Sequence, residues 1–274
     1  MQSVIIIDGE RPQTVLTTLK SIWQYRALLL ALSKRDISVR FKQAAIGISW
    51  VVLQPLVSAI IFSLVFGVFA KFDSGELPYP VFVFSGMVLW QFFSRSTSEG
   101  ANSLVSNAHL LTKVYFPRAL LPLVPIVAAL VDFSFATAFM VAISLALGVT
   151  VAWTILLLPF IALLAGLLAY GIALILSPIN ALYRDVGIAL PFFIQTLLFL
   201  TPIAYPATII PERYMWLLDF HPLATLITLI RWSLFSTPAP SSLALFILAI
   251  TILSLLLLGL RVMRKLEGTL VDRI

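Results

Sequence analysis

The chain has 274 residues, of which 61% are apolar and only 11% charged, with a mean hydropathy of +1.06. A soluble domain carries about 45–50% apolar and about 25% charged residues, so this composition excludes a water-soluble fold and names lipid as the solvent. The formal charge of +6 does not point to nucleic acid, because the cations flank apolar segments as cytoplasmic loops of membrane proteins do. The absence of cysteine excludes disulfides, thiolate metal sites and cysteine nucleophiles, and the two histidines, His109 and His221, are too few for a metal site.

In chain order, Val4-Ile5-Ile6-Ile7 is too short for a signal peptide or a span. Val15, Leu16, Leu19, Ile22 and Trp23 recur at helical spacing among polar residues, which predicts an amphipathic helix. It lies in the membrane interface or packs as a soluble helix on a partner; the very apolar Leu28-Leu29-Leu30-Ala31-Leu32 that follows favours the interface. Lys34, Arg35, Arg40 and Lys42 then form a basic collar.

A transmembrane helix needs about 20 apolar residues. On that measure the sequence predicts an all-α polytopic membrane protein with six transmembrane helices. The spans fall near 47–70, from 80 onward, 119–148, 153–179, 186–203 and 243–260. The second half of span two is polar, with Ser94, Arg95, Ser96, Thr97, Ser98, Glu99 and Asn102, so it faces other helices, a cavity or the cytoplasm. Residues 204–241 are apolar but broken by Pro206, Pro211, Pro222, Pro238 and Pro240, and predict a pair of short re-entrant helices between spans five and six. The resulting organisation is an N-terminal cytoplasmic segment (1–46) with the interface helix, a six-span domain (47–261) and a cytoplasmic tail (262–274). With both termini inside, fourteen of the eighteen Lys and Arg residues are cytoplasmic and three (Lys71, Arg213, Arg231) lie outside, with Arg95 within span two. That bias fixes the orientation.

No Gly-x-x-x-x-Gly-Lys-Ser/Thr loop is present, so ATP hydrolysis by that route is excluded, and His-Glu-x-x-His, Gly-x-Ser-x-Gly and Gly-x-Gly-x-x-Gly are also absent. Energy for uphill transport must come from an ion gradient or a separate protein. Three intramembrane charges stand out. Arg95 and Glu99, four apart, share a helix face; they form either a self-neutralised pair near the inner surface or a polar patch on a transport path. Asp132 lies about 20 Å into span three at 1.5 Å per residue. A lone carboxylate there is costly, and it is either a proton site or the structural partner of a buried Ser, Thr or Arg. Phe62, Phe66 and Phe69 share a face of span one, and Phe192, Phe193 and Phe199 sit on span five. Such aromatics line a sugar path or simply pack.

Several stretches read together. Lys34-Arg35-Asp36-Ile37-Ser38-Val39-Arg40-Phe41-Lys42-Gln43 precedes Gly47-Ile48-Ser49-Trp50 and Leu53-Gln54-Pro55-Leu56. Asn102-Ser103-Leu104-Val105-Ser106-Asn107 is followed by Leu110-Leu111-Thr112-Lys113-Val114-Tyr115-Phe116-Pro117-Arg118, then Tyr183-Arg184-Asp185-Val186 and Thr201-Pro202-Ile203-Ala204-Tyr205-Pro206. From Ile22 onward the chain resembles the ABC-2 type permeases of polysaccharide exporters for O-antigen, teichoic acid and capsule. It departs at Phe220-His221-Pro222-Leu223, where that pattern has Asn-Pro.

The resemblance implies a homodimer in the bacterial cytoplasmic (inner) membrane. It implies that each copy binds a separate nucleotide-binding ATPase subunit, which uses the ATP and magnesium, while this chain binds no cofactor and is not itself an enzyme. A lipid-linked polysaccharide would pass between the two copies. By position, the coupling region to the ATPase would be His109, Leu110, Leu111, Lys113, Val114, Tyr115, Phe116 and Arg118, with Arg184 and Asp185 nearby. The connector could instead dock on its own bundle, and Arg184 and Asp185 could pair with each other. The translocation pathway would draw on Phe62, Phe66, Phe69, Trp90, Phe193 and Tyr205. The helix before Lys34 would form a gate near the carrier's headgroup. Lys34, Arg35, Arg40 and Lys42 would meet that headgroup; their plainer role is topology and anionic lipid.

Overall fold

A computed structural model describes residues 15–42, 47, 49–75, 77–111, 113 and 116–271. It is all-helical among those residues. Helices α1 (Val15–Gln24) and α2 (Arg26–Lys42) precede α3 (Ser49–Phe62), which continues as a π-helical stretch, Ser63–Phe69. Next come α4 (Tyr79–Ser106), the single turn α5 (Ala108–Leu111), α6 (Leu123–Ala146) and α7 (Leu158–Leu182). The chain closes with α8 (Asp185–Leu200), the single turn α9 (Trp216–Asp219), α10 (Pro222–Phe235) and α11 (Ser242–Val271).

Four helical segments among the described residues are long and apolar enough to cross a membrane: Ser49–Phe69, Arg118–Ala146, Trp153–Leu182 and Ser242–Glu267. This is a multi-pass membrane protein. Helix α4 has 28 residues, about 42 Å at helical rise, but its polar second half keeps it out of the apolar set. Helix α8 is apolar but only 16 residues long.

Helix α4 is the central element, packed on α6, α7, α3, α8 and α10, while α7 also packs along α11. The close approach of α7 and α11 rests on glycine. A Cβ at Gly259 would lie 2.6 Å from Leu174 Cβ, and one at Gly171 2.8 Å from Leu255 Cβ. Small-residue contacts are how membrane helices gain dispersion energy without a hydrophobic drive. The polar half of α4 does turn inward: Ser96, Thr97 and Ser103 are buried.

The basic collar precedes span one on its own helix, α2, which packs along α6. Helices run through Pro55, Pro178 and Pro191, as the expected spans require. One feature differs from the sequence expectation. Residues 204–241 hold one 14-residue helix, α10, preceded by three single turns (Ala207–Ile209, Glu212–Tyr214 and α9), rather than two comparable re-entrant helices. The reason is local. Pro206 and Pro211 stand immediately before the first two turns, and proline disfavours the helical conformation in the residue ahead of it, so only the stretch after Pro222 is long enough to propagate. Expectations for residues 1–14 and 43–46 lie outside the described residues.

Candidate functional site: a charged groove beside α4

Arg95 and Glu99 do share a face of α4, with Arg95 Nε donating to Glu99 Oε1 at 2.8 Å. The pair is part of a larger network. Asp132 of α6 is 7% exposed, and its Oδ2 accepts from Arg95 Nη1 and, at 2.6 Å, from Arg40 Nη1 of α2. Arg40 Nη2 also lies 3.4 Å from Glu99 Oε2. Two guanidinium groups and two carboxylates from three helices therefore sit together, formally neutral as a set. Asp132 Oδ1 is buried and has no hydrogen-bond partner among the described residues.

Two further contacts tie α2 to the bundle. Ser33 Oγ donates to Val124 O at 3.1 Å, and Arg35 Nη2 donates to Asn107 Oδ1 at 2.8 Å, while Arg35 also pairs with Asp36. Asn107 caps the end of α4 and directly precedes α5. Helix α2 thus bridges the intramembrane charges and the connector that follows α4. Lys34 and Lys42 are exposed.

The network borders a groove of about 840 Å³ between α2, α3, α4 and α8, whose lining includes Arg40, Trp50, Gln54, Trp90, Gln91, Ser94, Arg95, Glu99 and Leu198. Indole faces alternate here with amide, hydroxyl and charged groups. Of the six aromatics singled out for a pathway, Trp90 lines this groove. The others lie elsewhere. Phe62 and Phe66 are 6.0 Å apart between ring centroids, and Phe66 stacks on Phe72 at 5.7 Å. Phe69 (78% exposed) and Phe193 (64% exposed) face away from the bundle, and Tyr205 donates to Phe199 O at 3.1 Å.

In the connector, His109 and Lys113 are exposed and Leu110 and Leu111 are half-buried against the core. Phe116 is buried in the chain's own core, and Arg118 Nη1 donates to Glu267 O of α11, with its Nε 3.6 Å from the Glu267 carboxylate. These two residues anchor the connector to the bundle. Val114 and Tyr115 lie outside the described residues. Arg184 and Asp185 are exposed at the start of α8, where the carboxylate suits the helix N-terminus. Gly187, one turn on, lies against Asn102 and Asn180, which are joined by a 2.8 Å hydrogen bond between α4 and α7.

Arg231 was counted among the outside cations, yet it is buried at 8% exposure. Its Nη1 donates to Pro202 O at 3.0 Å, and its Nη2 to Ile203 O at 2.8 Å and Phe82 O at 3.1 Å. The guanidinium carbon lies 3.5 Å from the Phe82 ring centroid. Tyr79 Oη adds a bond to Ala204 O. The signal available in sequence was a single cation inside Leu226-Ile227-Thr228-Leu229-Ile230-Arg231-Trp232, a setting in which an arginine must find buried acceptors. No group of three metal-ligating side chains forms among the described residues.

A multi-pass helical bundle with a polar, indole-lined groove against its central helix defines a membrane transport protein. Residues 27–235 match the ABC-2 type transporter family, and the chain belongs to it. It is 29% identical over 246 residues to an O-antigen export system permease protein RfbA of Klebsiella pneumoniae, covering 88% of this chain and 92% of that one. It is 28% identical over 211 residues to the Myxococcus xanthus O-antigen export system permease protein RfbA (76% and 80% covered). It is 25% identical over 249 residues to the polysialic acid transport protein KpsM of Escherichia coli (86% and 92% covered).

Proposed function

We propose that this chain is the permease subunit of an ATP-driven exporter that moves a lipid-linked polysaccharide across the bacterial cytoplasmic membrane. The observation that carries the reading is end-to-end similarity to permeases named for O-antigen and polysialic acid, within a family matched over residues 27–235. The chain crosses the membrane six times, with α4 and α8 added to the four apolar spans, and keeps both termini in the cytoplasm. Helix α1 lies in the interface. ATP and magnesium are used by a separate nucleotide-binding subunit that docks near α5 and the start of α8, and two copies of this chain enclose the polymer path. The exposed apolar face of α3 and its extension, with Trp50, Val57, Ile61, Leu64 and Val68, supports a surface covered by lipid or by the second copy.

The groove supports a sugar path. Indoles stack on sugar rings while Gln54, Gln91 and Ser94 offer hydroxyl partners. Asp132, held between two arginines, supports the counter-ion role and weakens the alternative of a proton-coupled carrier centred on it. An ABC-2 permease for a lipid or drug remains the competing cargo assignment.

The test is ATP hydrolysis in membranes holding this chain and a nucleotide-binding subunit from the same organism, with and without lipid-linked glycan. Co-purification with glycan-sensitive hydrolysis is the expected result. Failure to associate with any such subunit, together with transport abolished by Asp132→Asn, returns the proton-coupled reading.

A further inference from the structure

At the end of the bundle where α4 begins, a cavity of about 450 Å³ opens between the segment after α8, helices α9 and α10, and the start of α11. Trp216 and Asp219 of α9, Thr225, Thr228 and Arg231 of α10, and Ser241 ahead of α11 line it. This is a different place from the groove. Phe82, which touches the Arg231 cage, lies thirteen residues before Arg95 on α4, about 20 Å away at helical rise.

The hydrogen-bonding capacity of these groups is only partly used. Arg231 commits both Nη nitrogens to carbonyl oxygens, and its Nε is buried with no partner among the described residues. Thr225 and Thr228 donate their hydroxyl protons into their own helix, to His221 O at 3.4 Å and Ala224 O at 3.0 Å, and keep lone pairs to accept with. Asp219 Oδ1 accepts from Ser241 Oγ at 2.8 Å, which fixes the carboxylate and leaves its other oxygen to the cavity. Trp216 is half exposed and held edge-on by Phe220, with centroids 5.9 Å apart.

We propose that this cavity binds one neutral glycosyl unit of the exported polymer, the indole of Trp216 meeting the ring face and Asp219, Thr225 and Thr228 meeting its hydroxyls. The inference rests on the polysaccharide reading above. The chemistry selects a neutral polyol over an anion. An anion would need paired donors, but three of the five N–H groups of Arg231 are committed to carbonyls and its Nε is buried, so the charge lining the cavity that is left to meet a ligand is the Asp219 carboxylate. The Asp219 carboxylate and the threonine oxygens are all acceptors here, and neighbouring hydroxyls on one sugar ring supply a separate donor to each. The volume suits about one or two sugar rings, the low end of ligand-pocket sizes. The site therefore holds the polymer after it has left the groove.

The experiment places a benzophenone amino acid at Met215, on the cavity rim, or at Trp50 in the groove. Cells carrying the whole exporter are irradiated while they make their own glycan, and the purified chain is probed for periodate-reactive sugar and for lipid. Sugar captured at Met215, falling about tenfold in Asp219→Asn as expected for a hydrogen bond to a charged group, supports the site. Asn keeps the acceptor for Ser241, and Thr228→Val serves as a second variant should Asp219→Asn alter the elution of the complex. Sugar at Trp50 but not at Met215 overturns the site and leaves the exporter reading standing, as does capture at Met215 that neither variant weakens. Lipid alone at Met215 makes the cavity a headgroup contact and overturns the proposal. Sugar at neither position removes the site and the polysaccharide reading together.

Discussion

Arg231 and Asp132 are both buried ions against α4, and the bundle stabilises them by opposite means. Around Arg231 the partners are three carbonyl oxygens and an aromatic face. They come from the break after α8 and the first turn of α4, with no carboxylate touching the guanidinium among the described residues. Around Asp132 the partners are charged side chains from α2 and α4. A cage of backbone dipoles is fixed by the fold and cannot rearrange without moving the chain. A set of ion pairs between separate helices can exchange partners when one helix shifts. The first arrangement suits a static anchor, and the second suits a junction between separate helices.

The sharpest way to break that contrast is Arg231→Met. Three charge-assisted bonds are lost and the Pro202 and Ile203 oxygens are stranded, so a cost of about 5–9 kcal/mol is expected, at roughly 1.5–3 kcal/mol for each such bond. Thermal unfolding in detergent should show the largest loss of any single change described in this section. Arg231→Lys, with a point charge in place of a planar fork, should recover only part. If Arg231→Lys unfolds with the parent chain, the cage is not directional and the contrast fails.

At Asp132 the expected behaviour is compensation. Asp132→Asn takes from Arg40 and Arg95 the buried carboxylate they share, at about 2–4 kcal/mol, since removing one partner of a buried pair leaves the other charge less compensated. Asp132→Leu combined with Arg95→Met removes a matched pair and should cost less than the two single changes added together. A double-mutant cycle in thermal unfolding reads that coupling directly. Strict additivity would mean that the charges neighbour one another without sharing energy.

Gly86 sharpens the comparison from the side of the cage. A Cβ there would lie 3.0 Å from Ile203 Cγ2 and 3.1 Å from Arg231 Nη2, a terminal nitrogen pinned by the Phe82 and Ile203 carbonyls. Gly86→Ala should cost about 1–3 kcal/mol by overpacking. The same substitution at Gly148, where no atom lies within 4 Å, should show only the strain of its left-handed backbone. Equal losses at the two positions would mean that the cage yields to pressure.

The two ends were not equally legible in the sequence. Arg95 and Glu99 announce their pairing by a spacing of four on one helix, and the inward turn of the polar half of α4 follows from what lipid tolerates. Asp132 announces that it needs a partner but not which one, because Arg40 is 92 residues away and becomes its neighbour only through the packing of α2 on α6. The burial of Arg231 was hidden for a related reason. Charge-bias counting treats a cation in a proline-rich stretch as a loop residue, and only the three-dimensional return of residues 202–204 supplies the carbonyls that bury it. The helical class, the polar face and the basic flanks are local properties of the chain, whereas the partners of the ions are properties of its packing.

The smallest expected effect separates the ends by pH. His221 precedes α10, outside the four long apolar spans, and its Nδ1 accepts from Ala224 N–H at 3.2 Å. Burial, its largest influence, pushes the imidazole below its ordinary pKa. The neutral ring is therefore the form that caps the helix; a protonated ring cannot accept, and its charge would oppose the positive end of the helix. Because the folded pKa is depressed, stability is constant above the ordinary histidine range and is lost as pH falls from that range toward the folded value. Amide protection at the first turn of α10, corrected for intrinsic exchange, should be lower near pH 5 than near pH 7.5, on either side of the ordinary histidine pKa of about 6.5. His221→Asn, which keeps a side-chain acceptor at the cap, should retain the protection and lose its pH dependence. PH-independent protection in the parent chain would show that the dipole cage around Arg231, and not the cap, holds this end of α10 in place.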